Sequence, residues 1–211
     1  MKNYFIICFV LMIATACDSM AQQKKVGGPC EGCEAIYESP VPFEQIKSFT
    51  ALPDVSWDGK KPMGINGTVY KADGKTPAPD VVLYLYHTDA TGHYPKKGNE
   101  TGWAKRHGYL RGWVRTDANG FYKFGCLRPA PYPGGTEPAH IHVTVKEPGI
   151  NEYYIDEFLF SDDPLLTEAK KKKLENRGGS GIVKIVDVGN MYKGERNIYL
   201  GRNIPDYPAA K

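Results

Sequence analysis

The sequence predicts an all-β chain: an antiparallel β-sandwich with one short helix and an irregular N-terminal arm. Three observations carry this. Short apolar and aromatic runs recur at roughly 8–15-residue spacing, with no helical pattern between most of them. Turn residues separate the runs, and the chain holds 23 Gly and 16 Pro. Its 14 Tyr suit pleated, half-buried surfaces better than long helices.

The chain has 211 residues, 41% hydrophobic and 24% charged, which fits one domain with a real core. The net charge is only +3, and no basic stripe runs with aromatic residues. Nucleic-acid binding therefore has no support.

The elements follow in order. Lys2 precedes an apolar run from Tyr4 to Ala16, too short to span a membrane and suited to a secretory signal. Small residues precede Cys17, which resembles a bacterial lipoprotein signal. That resemblance implies a signal peptide over 1–16, lipidation at Cys17 and a soluble domain held at the cell envelope. Residues 17–26 read as a tether and 27–63 as an irregular arm. The β-sandwich spans 64–205, and 206–211 form a tail. In an exported protein the remaining cysteines, Cys30, Cys33 and Cys126, favour a structural disulfide over a zinc site, because there is no second CxxC. The spacing leaves the pairing open.

Strand-like runs cover Gly67 to Tyr70, Val81 to Tyr86, Gly112 to Thr116 and Gly120 to Leu127. Asp117-Ala-Asn-Gly120 is a hairpin-type turn between the last two. Alternating runs follow at His140 to Val145 and Tyr154 to Phe160, then Ile182 to Val188 and Asn197 to Leu200. The helix is expected after Asp163 as N-cap and Pro164 in the first turn, with Lys170 to Lys173 in its later half and Gly178 beyond it. The four lysines read as a solvated helix face.

His140-Ile-His142 carries the chemistry. On a strand the two imidazoles share one face, about 7 Å apart, and can meet one metal. Tyr132 stands between prolines, which restrict its backbone and so its direction. Tyr94 closes the turn Asp89-Ala-Thr-Gly-His-Tyr94-Pro95. Phenolate is a hard anionic ligand, so two tyrosinates with two imidazoles suit Fe(III) better than zinc, calcium or copper.

The run Leu110-Arg-Gly-Trp-Val-Arg-Thr-Asp-Ala-Asn-Gly-Phe-Tyr-Lys-Phe-Gly-Cys-Leu-Arg-Pro-Ala-Pro-Tyr132-Pro, continued by Pro138-Ala-His-Ile-His142, resembles the central signature of the intradiol ring-cleavage dioxygenases. This is the catechol and protocatechuate dioxygenase family, and the likeness extends over residues 64–164. It implies a β-sandwich with ferric iron held by Tyr94, Tyr132, His140 and His142. It also implies that Tyr132 is released when a catechol-type diol chelates the metal. The ring would then open between its hydroxyl carbons with O2, giving a muconate-type diacid without an organic cofactor.

Two positions depart from the family. Glu137 stands where an Arg usually precedes Pro-Ala-His-Ile-His, and Glu157 aligns with a Gln that supports the site. Both are candidate catalytic residues here. A carboxylate at 137 disfavours an anionic substrate, which leaves three outcomes: another cation, such as Arg111, Arg115 or Arg128, enters the pocket, the substrate is neutral or cationic in its side chain, or the iron remains with little dioxygenase activity. The alternatives are an iron- or ligand-binding β-sandwich lipoprotein without efficient dioxygenase activity, suggested by a transthyretin-like run from Gly67, and a zinc hydrolase built on the two histidines. The sequence leaves a homo-oligomer open.

Overall fold

The computed structural model describes residues 25–53 and 60–209. The signal segment, Cys17 and most of the expected tether lie outside the described residues. Lys25 and Val26, at the tether's end, are already docked: Lys25 Nζ meets Glu152 at 2.6 Å, and Val26 N donates to Asn151 Oδ1.

The strands are β1 (Phe49–Ala51), β2 (Pro62–Tyr70), β3 (Val82–His87), β4 (Arg111–Arg115), β5 (Phe121–Leu127), β6 (His140–Lys146), β7 (Tyr153–Tyr154), β8 (Phe158–Phe160), β9 (Ile182–Val183), β10 (Val186–Asp187), β11 (Tyr192–Glu195) and β12 (Ile198–Tyr199). One sheet runs β1-β5-β2-β11-β10 with β12 also on β2. The other runs β4-β3-β6-β8-β9 with β7 also on β6. The long central pairs, β2 with β5 and β3 with β4 and β6, are antiparallel. The short flanking pairs β1–β5, β2–β11, β2–β12 and β8–β9 are parallel. Their partners lie far apart in sequence, and a parallel pair needs such a long connection.

Alternation explains the layers. Ile65, Phe124 and Tyr122 of the first sheet face Leu83, Leu85, Ile141 and Val143 of the second, all at 3% exposure or less. The outer face of the second sheet is also covered. Ala35, Ile36 and Ile46 of the arm pack on Val82 and Tyr84, and Trp113 Nε1 donates to the Ile36 carbonyl at 2.8 Å. Thus β3 is largely buried on both faces, and Thr144 of β6 meets Cys33 of the arm at 3.7 Å.

Several expectations need correction. The run from Tyr154 to Phe160 is broken into β7 and β8. The run from Ile182 to Val188 is divided between the two sheets, as β9 and β10. The expected helix shrinks to α2 (Glu168–Lys171), following α1 (Ala104–His107), which the sequence reading missed. Thr167, not Asp163, caps α2 by accepting from Lys170 N. Asp163 instead accepts from Ala139 N and Leu165 N, each at 2.8 Å, and so ties the start of β6 to the turn after β8. Cys30 and Cys33 form a disulfide, and Cys126 is a free thiol in the core.

Candidate metal centre

The two histidines open β6, with Ile141 turned into the core between them. Their register sets His142 opposite Tyr86 of β3. The Tyr86 ring stacks on His142 at 4.5 Å and on His107 of α1 at 3.8 Å, which fixes the imidazole plane.

The two tyrosines stand on loops that brace each other. Asp89 Oδ1 accepts from Thr91 N and His93 N, forming the turn that ends at Tyr94. Ala130 N donates to the Asp89 carbonyl, and Thr88 Oγ1 to the Ala130 carbonyl. Gly92, at φ 80°, packs so tightly that a Cβ there would lie 2.1 Å from the Pro131 carbonyl oxygen. Only glycine lets the Tyr94 loop approach the strap that carries Tyr132.

Four donor atoms converge. Tyr94 OH lies 2.5 Å from Tyr132 OH and 2.9 Å from His142 Nε2. Tyr132 OH lies 3.2 Å from His140 Nε2 and 3.3 Å from His142 Nε2. The two Nε2 atoms are 3.1 Å apart. The proton inventory of this cluster is short. His140 Nδ1 is 2.7 Å from the Pro138 carbonyl, which can only accept, so that nitrogen carries the proton and Nε2 presents a lone pair. His142 Nδ1 faces Glu157 Oε1 at 3.6 Å, too long for a hydrogen bond but close enough to favour a proton there too. Two phenol protons cannot satisfy five short contacts. A cation among the four donors satisfies all of them, and the carbonyl and carboxylate behind the imidazoles are the usual supports of metal-binding histidines.

Electrostatics agree. Burial, then the hydrogen bond with Tyr132, pushes the Tyr94 phenol far above its usual range, so its anion needs a cation beside it. Burial lowers His140 and keeps it neutral, as a ligand must be. Burial raises the Glu157 carboxyl, but the His142 contact outweighs it and the net value falls to about 2. Among the described residues, no group of three or more His, Cys, Asp and Glu is arranged to hold a metal. This centre draws half of its donors from tyrosine.

A cleft of about 440 Å³ opens on the centre, lined by Tyr132, His140 and His142 but not by Tyr94. Glu137 and Glu157 also line it. None of Arg111, Arg115 and Arg128 does: they pair with Glu38, Asp80 and Asp162. The cations in the wall are Lys170 and Lys173, from the run read as a solvated face. The signal missed was helical spacing within that run. On the other side of His142 and Glu157, the disulfide turn at Cys30 walls a cavity of about 300 Å³. A further cavity of about 540 Å³ lies at Glu147 and Tyr207, away from the donors.

The two-sheet sandwich matches the fold of ring-cleaving dioxygenases. A family model described as Dioxygenase matches residues 44–176, more than half of the sequence, and the chain belongs to the intradiol ring-cleaving dioxygenase family. It is 30% identical over 146 residues to catechol 1,2-dioxygenase 1 of Acinetobacter lwoffii, covering 57% of this chain and 46% of that one. It is 24% identical over 172 residues to chlorocatechol 1,2-dioxygenase of Cupriavidus pinatubonensis, covering 72% and 63%. The chain thus spans about half to two thirds of the length of these relatives. The fold resembles catechol 1,2-dioxygenase from Acinetobacter sp. ADP1, with a TM-score of 0.56, 21% identity and coverage of 78% and 61%. It also resembles the dioxygenase domain of a carbohydrate-binding fusion protein from Streptomyces sp. SirexAA-E, with a TM-score of 0.54, 23% identity and coverage of 71% and 85%.

Proposed function

We propose that this chain is a non-haem Fe(III)-dependent intradiol dioxygenase. It opens a catechol-type ring between the two hydroxyl carbons with O2 and yields a muconate-type diacid. The observation that carries the reading is the convergence of two imidazole lone pairs and two phenol oxygens in a chain of this family.

A ferric ion held by these donors would supply Lewis acidity toward the diol oxygens. Tyr94, His140 and His142 are the holding donors. Tyr132 faces the cleft, so as the tyrosinate of a metal-loaded centre its oxygen would meet the incoming diol and take up one hydroxyl proton, becoming the neutral phenol. Glu157 keeps the proton of His142 on Nδ1 and so keeps Nε2 available. Leu159 and Leu166 present apolar surface to the ring and displace water from it.

The test is direct. Tyrosinate-to-Fe(III) charge transfer colours a protein red to purple. The purified chain, with or without residues 1–17, should be coloured, hold about one iron, and consume O2 with a catechol while a diacid accumulates. A preparation that stays colourless after reconstitution with iron removes the centre. A coloured protein that consumes no O2 with neutral or acidic diols favours the iron-binding lipoprotein instead.

Export as a lipoprotein is part of the proposal. Its support is the apolar run ending in small residues before Cys17. The mass of the mature N-terminal peptide from the envelope fraction checks it, because a cleaved chain without lipid on Cys17 contradicts it.

A further inference from the structure

We propose that Lys170 and Lys173 form an anion-recognising subsite in the cleft, so that the preferred substrates are aromatic diols bearing an anionic arm. The diol end of this inference rests on the dioxygenase reading; the anion end does not.

The lysine run is divided by helical geometry. Lys173 N donates to the Lys170 carbonyl at 2.9 Å and Leu174 N to that of Lys171, so the chain keeps turning beyond α2. Leu166, Lys170, Lys173 and Leu174 therefore recur at helical spacing on one side, and all four line the cleft. Lys171 and Lys172 do not line it, and Lys171 pairs with Glu168 at 2.7 Å. Two adjacent cations face the cleft and two turn away.

The cleft wall has three kinds of surface: the donors Tyr132, His140 and His142, the apolar Leu159, Leu166 and Leu174, and the two lysines. Glu137, Glu157 and Pro138 complete it. Glu157 faces His142. Lys170 Nζ donates to the backbone carbonyl of Thr136, the residue before Glu137. Lys173 has no side-chain hydrogen bond or ion pair among the described residues. A cation that lines a ligand-sized cleft without a partner suits a carboxylate on the ligand. The apolar leucines suit a spacer between that carboxylate and the ring.

The probes are dihydrocaffeate, a catechol with a propanoate arm, and its uncharged methyl ester. Calorimetry on the full iron-loaded chain without O2 should show the acid binding about fivefold more tightly, the range of a solvent-exposed ion pair, with the preference fading in salt. Lys170→Gln with Lys173→Gln should bring the ratio close to one. Lys171→Gln with Lys172→Gln removes the same charge from the other face and should keep the ratio. Equal affinity for the two probes, binding of neither, or equal loss of preference in both double variants overturns the proposal. Oxygen uptake on the same samples separates the two readings. Preference for the acid without ring opening removes the dioxygenase and leaves the subsite, whereas ring opening at equal affinity does the reverse.

Discussion

The Nε2 atoms of His140 and His142 lie 3.1 Å apart, and with both ring protons on Nδ1 this contact is not a hydrogen bond. The Pro138 carbonyl claims the proton of one ring, and Glu157 faces the Nδ1 of the other. Two lone pairs at that separation repel unless positive charge sits between them. His142→Ala should therefore act in opposite directions on the two forms of the protein. Iron content should fall to background by elemental analysis, while the thermal midpoint of the metal-free protein holds or rises. An iron-loaded His142→Ala protein contradicts the ligand assignment.

The two tyrosines should separate in the same experiment. Tyr94 is absent from the cleft wall and Tyr132 is part of it. Tyr94→Phe removes a holding donor, so iron and colour should be lost together. Tyr132→Phe removes the phenol that meets the diol, so turnover should fall far more than iron content. Equal iron loss in both variants would erase the distinction between them.

The Glu157 carboxylate lies 3.6 Å from His142 Nδ1. Partners behind a metal-binding histidine are typically worth ~10–100-fold in metal affinity. Glu157→Ala should weaken iron binding within that range, and Glu157→Gln by less, in a chelator competition. Unchanged retention in Glu157→Ala would leave the carboxylate without a part in the centre.

Much of the sandwich was legible because alternation is local. His140, Ile141 and His142 reveal their faces from spacing alone, and the Asp117–Gly120 turn marks its hairpin. The strands that the sequence blurred depend on distant partners. Only two residues separate β9 from β10, yet β9 pairs with β8 and β10 with β11. Asp163 has the chemistry of an N-cap, but the amide it serves from a distance is Ala139 N, across the site. The convergence of Tyr94 with Tyr132 depends on Gly92 packing against Pro131, a contact between loops that no periodicity announces. The direction of Lys170 and Lys173 likewise follows from where α2 docks.

His87 provides a pH test that is independent of iron. It is 2% exposed, its Nδ1 donates to the Thr88 carbonyl, and its Nε2 has no partner among the described residues. Burial lowers its pKa from 6.5 to about 4. The unfolded chain then binds the extra proton first, so the contribution to stability is complete above pH 6.5 and is lost as pH falls toward 4. A shift of this size corresponds to about 3 kcal/mol. Urea midpoints of the metal-free protein should drop across that window, and His87→Gln should flatten the fall. His107, also lowered to about 4 by burial, leaves a residual slope. Parallel acid limbs in the parent and His87→Gln would show that His87 is not the group responsible.

Glu137 is exposed at the cleft wall, beside the carbonyl that receives Lys170. Its carboxylate opposes the field of Lys170 and Lys173 in the same cleft wall. Glu137→Arg exchanges a repulsive charge for an attractive one without touching the four donors. The ratio of kcat/KM for dihydrocaffeate over its methyl ester should rise by about fivefold or more at low salt, since one charge is removed and its opposite added. The gain should shrink as ionic strength rises, because the wall is open to solvent. Steady-state oxygen uptake with both compounds at two salt concentrations measures it. A ratio that stays level or falls at low salt would mean that Glu137 does not set the charge preference of this cleft, and that the Lys170 and Lys173 face acts without opposition.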